Sequence, residues 1–486
     1  MGKNLLAYSL MIAIFGLAIY SILNVGPRLL PDVIPSDQSP RLSEESSPDM
    51  QPQSKPHGAG GDLLGKLQQP LSLLLLQIIV IITVARGLGM LFTKLGQPAV
   101  IGEMIGGILL GPSLLGWLAP QVGAFLFPSN SLGPLQLLGQ IGVILFMFIV
   151  GMEVNPRSLR QRAHSAVLIS HVGILAPFML GTALALFLYL PLAPRDVSYL
   201  SFALFMGIAM SITAFPVLAR IIEQRGLSGS SLGNTAIACA AVDDATAWCI
   251  LAVVLAIARA EDFSGTALTV GLALAFSVAM LFMIKPWLRK LVERAAYSVA
   301  YSNGIIAGTL LFAFASGLFT ETIGIHALFG AFLAGAVLPP QEILRVPVKE
   351  RLETFSTVFL LPLFFAFTGL RTQIGLMDDW QSWILCGCII IVAIAGKLGG
   401  TTLAARWTGM SWRESLSIGA LMNTRGLMEL IALNIGYELG ILSAEIFAMM
   451  VLMALATTFM TGPVLSFIET RKQSTVLARP DTNVTS

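Results

Sequence analysis

The 486-residue chain is 55% hydrophobic and only 12% charged, about half the ionic content of an ordinary soluble domain. So little charge cannot cover a water-exposed globule, and the same figures exclude disorder, coiled coil and a secreted disulfide scaffold, leaving the bilayer as the solvent that fits. The near-neutral balance of 29 Lys+Arg against 27 Asp+Glu lacks the basic face of a nucleic-acid binder.

The first apolar stretch covers about 5–24, as long as a membrane span. Lys3 gives it a minimal basic start, so a signal peptide is one reading. The long run and the lack of a small-x-small cleavage site favour an uncleaved helix. A Pro/Ser-rich stretch with Asp32, Glu44, Glu45 and Asp49 follows, and its polarity predicts a disordered linker. Thirteen further spans are predicted near 71–93, 99–118, 136–152, 165–190, 197–219, 232–258, 266–284, 303–319, 324–339, 354–370, 382–405, 414–436 and 445–468, each about a bilayer long. The predicted division is a hydrophobic helix over 1–24, a polar linker over 25–69, a transmembrane domain over 70–470 and a polar tail over 471–486. No nucleotide-binding pattern follows the last span. The four cysteines, Cys239, Cys249, Cys386 and Cys388, lie in apolar runs without zinc or redox spacing and read as small packing residues.

Cytoplasmic loops of membrane proteins are rich in Lys and Arg. If the chain enters the 71–93 span from outside, alternate loops carry eighteen basic residues, among them Lys94, Arg157, Arg220, Lys285, Lys349, Arg413 and Lys472. The opposite loops carry three, Arg195, Arg259 and Arg371. This count predicts a cytoplasmic C-terminus.

A repeat is also visible. Ile101, Gly106, Leu109 and Gly111 recur as Ile325, Gly330, Leu333 and Gly335, and Leu145-Phe146 with Gly151 recurs as Leu363-Phe364 with Gly369. Seven spans, an odd number, separate the copies, so the second copy is predicted to run upside down. Inverted repeats mark secondary transporters, with the substrate site near the midplane.

Charges inside spans carry the functional information, because an ion at the bilayer centre costs about 2.5–3.5 kcal/mol or more. Asp243 and Asp244 are adjacent in an otherwise apolar helix, and consecutive side chains point about 100° apart, so both can border one cavity. Such a pair can hold protons or exchange them for a desolvated cation; a buried structural network is the plain alternative. Lys397 is also mid-span and needs a carboxylate, for which either aspartate is the natural partner. Its alternative is to reach the cytoplasmic edge. In Ser211-Ile212-Thr213-Ala214-Phe215-Pro216, the proline removes a backbone hydrogen bond and loosens Ile212. Unpaired carbonyls near Ser211 and Thr213 would suit Na⁺ or K⁺, unless the proline only kinks the helix. The counterpart is Asn423-Thr424-Arg425-Gly426-Leu427-Met428-Glu429, where Arg425 and Glu429 are four apart and can pair, with either a structural or a transport role. Glu103 and Glu153 are read as span-end residues, His326 as a cap or interface residue, and Arg371, Asp378 and Asp379 as solvated loop residues. Trp380, Trp383, Trp407 and Trp412 are predicted interfacial anchors.

These three motifs, over roughly 70–470, resemble the monovalent cation/proton antiporter-2 family of sodium/proton antiporters, potassium-efflux transporters and plant cation/proton exchangers. The resemblance implies an all-α polytopic fold of 13 helices with inverted-topology repeats, preceded here by an extra N-terminal hydrophobic helix. Two crossed, partly unwound helices would meet around Ser211, Thr213 and Pro216 and around Asn423 and Thr424. It implies that Asp244 is the principal cation- and proton-binding carboxylate, Asp243 the second one, paired with Lys397 when no ion is bound, and Thr213 a neighbour of both. Arg425–Glu429 would hold the crossed helices together. The implied activity is Na⁺/H⁺ exchange, with K⁺ or Li⁺ as other candidates, by a homodimer whose core moves like an elevator. No cofactor is implied and no enzymatic activity. A bacterial plasma membrane is the expected location, with an internal photosynthetic or organellar membrane as the other. A cation channel or uniporter on the same scaffold is the main alternative. An intramembrane aspartyl protease is disfavoured, because its two carboxylates come from separate segments.

Overall fold

The computed structural model describes residues 2–29, 66–153, 156–227, 230–259, 263–295, 303–339 and 341–477, and these are helical apart from short turns. Apolar residues without polar periodicity form helices here because a helix satisfies every backbone group internally, the condition for crossing lipid. Twelve helices are long and apolar enough to cross a membrane. A bent pair, Trp412–Met422 and Leu427–Glu438, would make a thirteenth, and Ala327–Val337 is a shorter apolar helix. The chain is therefore a multi-pass, all-helical membrane protein. Its outer faces carry exposed Leu75, Ile79, Leu274, Phe282, Leu311 and Leu318, a surface suited to acyl chains rather than water.

The long helices are numbered in chain order. α1 is Gly2–Leu29, α2 Pro70–Lys94, α3 Ala99–Leu110, α4 Leu132–Glu153, α5 Pro156–Leu192 and α6 Tyr199–Ser211. α7 is Phe215–Gln224, α8 Ser231–Arg259, α9 Phe263–Ala279, α10 Asn303–Thr322, α11 Ala327–Val337 and α12 Glu342–Phe355. α13 is Leu361–Arg371, α14 Trp380–Ile394, α15 Gly400–Trp407, α16 Trp412–Met422, α17 Leu427–Glu438 and α18 Ala444–Leu477. π-turns join α12 to α13 over Ser356–Leu360 and α14 to α15 over Ala395–Gly399. Two predicted boundaries move. α1 runs to Leu29, five residues into the expected linker, and α18 runs to Leu477, into the expected tail. The rest of both segments, 30–65 and 478–486, lies outside the described residues.

Packing sorts the helices into two bundles. In the first, α2, α3, α4, α10, α11 and α13 pack on one another; in the second, α5 gathers α6, α8, α14 and α15, with α16 and α18 beside them. α1 leans on α5 and α6. The repeated glycines lie at close helix contacts in the first bundle. A Cβ on Gly335 of α11 would collide with the Phe148 carbonyl of α4, and one on Gly151 of α4 with the Phe332 carbonyl of α11. The other pair matches: a Cβ on Gly369 of α13 would strike Gly107 of α3, and one on Gly107 would strike Ala366. Small residues are needed where membrane helices approach this closely. α17 belongs with the second bundle through α18 and α6, and touches α13 of the first.

Candidate functional site

The site forms where the second bundle breaks its own helices. α6 stops at Ser211, Ile212 turns extended at φ −70° and ψ 136°, and α7 restarts at Phe215 with Pro216 in its first turn. Proline suits that position, since a helix start has no partner for its amide. The second break separates α16 from α17, whose axes differ by 44°. The two breaks are stitched together: Ala214 N–H donates to the Thr424 carbonyl at 3.0 Å, and the Thr213 hydroxyl to the Met422 carbonyl at 3.0 Å. Thr458 of α18 clamps the second break, accepting from the Arg425 amide at 2.9 Å and donating to its carbonyl at 2.7 Å.

Three carbonyls at the end of α6, including that of Ser211 which the sequence expectation left unpaired, are taken by buried cations. Arg425 crosses from the other break and donates to the carbonyls of Ala209 at 3.1 Å and Met210 at 2.6 Å. Lys397 Nζ donates to the Ser211 carbonyl. A proline break exposes acceptors, and in a bilayer core the nearest buried cations take them. Arg425 also pairs with Glu429 at 3.0 Å, both side chains fully buried.

Asp243 lies on α8 beside this crossing. Its Oδ1 is 3.0 Å and its Oδ2 3.2 Å from Lys397 Nζ, and Oδ2 also accepts from the Thr213 amide at 3.1 Å. Both partners of the ion pair are wholly buried. The π-turn over Ala395–Gly399 carries Lys397, and such turns re-aim side chains at functional places. Asp244 is buried next to Asp243 at 3% exposure. Asn423 is fully buried at the second break, and neither its amide nitrogen nor its oxygen has a hydrogen-bond partner among the described residues.

A cavity of about 560 Å³ opens between the bundles and comes up beside the two breaks, with neither Asp243 nor Asp244 in its lining. Pro216, Val217 and Leu427 line it next to the breaks, and Glu103, Arg220 and Lys349 give it charge. Glu103 is thus no ordinary span-end residue: it is buried and 3.7 Å from Arg86 of α2. Arg86 also donates to the Thr357 carbonyl at 2.9 Å. Sequence reasoning passed over Arg86, although an arginine inside an apolar span is itself a signal. Arg371 is not simply solvated either. It pairs with Glu438 at 2.9 Å and stacks over Phe367 at 4.1 Å. His326 caps α11, accepting from the Leu328 amide at 3.5 Å. The side chain of Glu153 lies outside the described residues.

Comparison with known proteins agrees with this architecture. Residues 78–470 match the family model described as "Sodium/hydrogen exchanger, transmembrane". The chain belongs to the sodium/hydrogen exchanger family. Within it, the chain falls in the monovalent cation/proton antiporter-2 group. It is 43% identical over 394 residues to the Na(+)/H(+) antiporter NhaS4 of Synechocystis, covering 81% of this chain and 96% of that one. It is 39% identical to Cation/H(+) antiporter 17 of Arabidopsis thaliana over 82% of this chain, and 33% identical to K(+)/H(+) antiporter 1 of Saccharomyces cerevisiae over 82%. The exchanger region spans only 48% and 46% of those two longer proteins. The solved sodium proton antiporter MjNhaP1 of Methanocaldococcus jannaschii shares the fold, with a TM-score of 0.61 over 85% of this chain and all of that one at 13% identity.

Proposed function

We propose that this exchanger carries a monovalent cation and protons in opposite directions across the membrane, at a site formed by Asp244 and Asp243. One observation carries the reading: a wholly buried Lys397–Asp243 ion pair at the meeting of two broken helices, with a second buried carboxyl, Asp244, beside it. A buried ammonium and carboxylate hold each other only while nothing better is present. A cation arriving at Asp244 and Asp243 displaces Lys397 and any proton on the pair, and a returning proton expels the cation. Thr213 orients Asp243 through its amide, while Arg425–Glu429 holds the crossing, with Asn423 and Thr424 at the second break and Ser211 and Pro216 at the first.

Alternating access follows from the two bundles. The second carries the site and moves; the first, knitted by close glycine contacts, serves as the scaffold and homodimer surface. The crosswise contacts of Gly335 with Phe148 and Gly369 with Gly107 support inverted repeats within a 13-helix fold, to which α1 is an addition. The basic loops support a cytoplasmic C-terminus and a cavity that faces the cytoplasm. The names of the relatives support Na⁺ first and K⁺ second, with Li⁺ as a congener; the proposed setting is a bacterial plasma membrane, with an internal photosynthetic or organellar membrane as the other candidate.

The test is exchange by purified protein in proteoliposomes. Wild type shows a cation-driven change of internal pH, and Asp244→Asn shows none while keeping its thermal stability. Normal exchange by Asp244→Asn contradicts the assignment. Cation flux without proton movement in wild type would favour a channel or uniporter.

A further inference from the structure

At the end of the molecule opposite the cavity, a polar cluster ties the two bundles together. Lys349 at the cavity and Arg371 lie on one continuous run, α12 through the π-turn to α13. A rise of 1.5 Å per residue puts them about 33 Å apart, a bilayer core. At the far end, Glu438 of α17 accepts from Arg371 of α13 at 2.9 Å and from Gln136 of α4 at 2.8 Å. Arg371 also donates to Asn434 Oδ1 at 3.2 Å, and Asn434 Nδ2 donates to the Thr368 hydroxyl at 2.8 Å. Arg371, Gln136 and Thr368 belong to the first bundle; Glu438 and Asn434 belong to the second. Two cavities sit against the cluster, one of about 270 Å³ lined by Arg259, Glu321 and His326, the other by Val143 and Ile431, and both include Gln140 and Glu438.

We infer that Arg371, Glu438, Gln136 and Asn434 form a latch that holds this end shut and must part for the site to open there. It rests on the alternating access proposed above. The side chains are only partly buried, 18% exposed for Arg371 and 28% for Glu438. Water can therefore replace their bonds once the bundles slide, which a wholly buried pair does not allow. The cavities already flanking the cluster give that water a place to enter. These are positioning residues: they touch neither the aspartates nor the cation.

The test is side-specific labelling of the full chain in proteoliposomes with a membrane-impermeant thiol reagent, after the exposed Cys249 and Cys388 are changed to alanine. One reporter is Val143→Cys, beneath the latch; the other is Ala219→Cys, in the opposite cavity. Glu438→Gln and Arg371→Ala should speed labelling at the Val143→Cys site about fivefold or more and slow it at the Ala219→Cys site, with Gln136→Leu giving a smaller shift. The charge-swapped pair Arg371→Glu with Glu438→Arg should restore both rates. Faster labelling at both sites means local loosening and overturns the latch, as does no change at either. If Na⁺ and K⁺ fail to move the two rates in opposite senses in the parent protein, alternating access itself fails and the latch falls with it. If they do so and the latch variants match the parent, only the latch fails.

Discussion

The two helix breaks meet side by side, yet they are held by different chemistry. At Asn423–Gly426 the backbone is clamped by Thr458 and by an Arg425–Glu429 pair one helical turn apart. At Ser211–Ala214 it is held from outside, by Lys397, Asp243 and the Arg425 that reaches across. A guanidinium stays charged and binds through a fixed planar fork, whereas an ammonium is a point charge that can give up its proton. Both breaks share the Arg425 guanidinium, and only the first also carries an ammonium; under the proposed function, the Lys397 contact is the one an incoming cation would undo.

The largest expected effect comes from removing the shared guanidinium. Arg425→Ala leaves Glu429 buried without its partner and frees the Ala209 and Met210 carbonyls, a loss of about 3–5 kcal/mol. Its melting temperature in detergent should fall sharply, and Arg425→Lys should not recover it, because a single compact ammonium lacks the two spaced nitrogens with which the guanidinium reaches the two carbonyls and the carboxylate. Thr458→Val is milder. It removes the oxygen that serves the Arg425 amide and carbonyl, for about 1–3 kcal/mol of destabilisation, read in the same melting assay.

Lys397→Ala sharpens the comparison in a different way. The first break loses its ammonium, so exchange should continue while its pH profile shifts, measured as initial rates across a pH series. An unchanged profile would make Lys397 a structural lysine. The smallest effect lies at the start of the Lys397 helix. Asp379 accepts from the Ser382 amide at 2.8 Å, and hydrogen bonding from the Ser382 side chain, then from its amide, holds its carboxyl below the usual carboxylate range. A lowered value means its contribution is present above the ordinary aspartate range and disappears as pH falls through the depressed one. Asp379→Ala should therefore lower thermal stability slightly at neutral pH and not at all in strong acid.

Much of this arrangement was legible in the sequence because lipid makes charge conspicuous. Asp243, Asp244 and Lys397 stood out as ions in apolar runs, and the glycine spacing of 101–111 and 325–335 marked the helices that pack most closely. The contacts that cross between elements were not legible. Nothing in the order of residues says that Arg425 reaches the carbonyls of another span, or that a π-turn aims Lys397 at Ser211. Arg371, read as a solvated loop residue, and Glu438, passed over, escaped for the opposite reason: at span ends charge is ordinary, and only their pairing across two bundles distinguishes them.

In the proposed exchange, protons leave the aspartate pair as a cation arrives. Proton release can be read directly by adding Na⁺ or K⁺ to weakly buffered, purified protein with a pH dye present. Wild type should release protons in a saturable, cation-dependent manner, and Asp244→Asn should release none at equal folding. Undiminished release from Asp244→Asn would contradict the account.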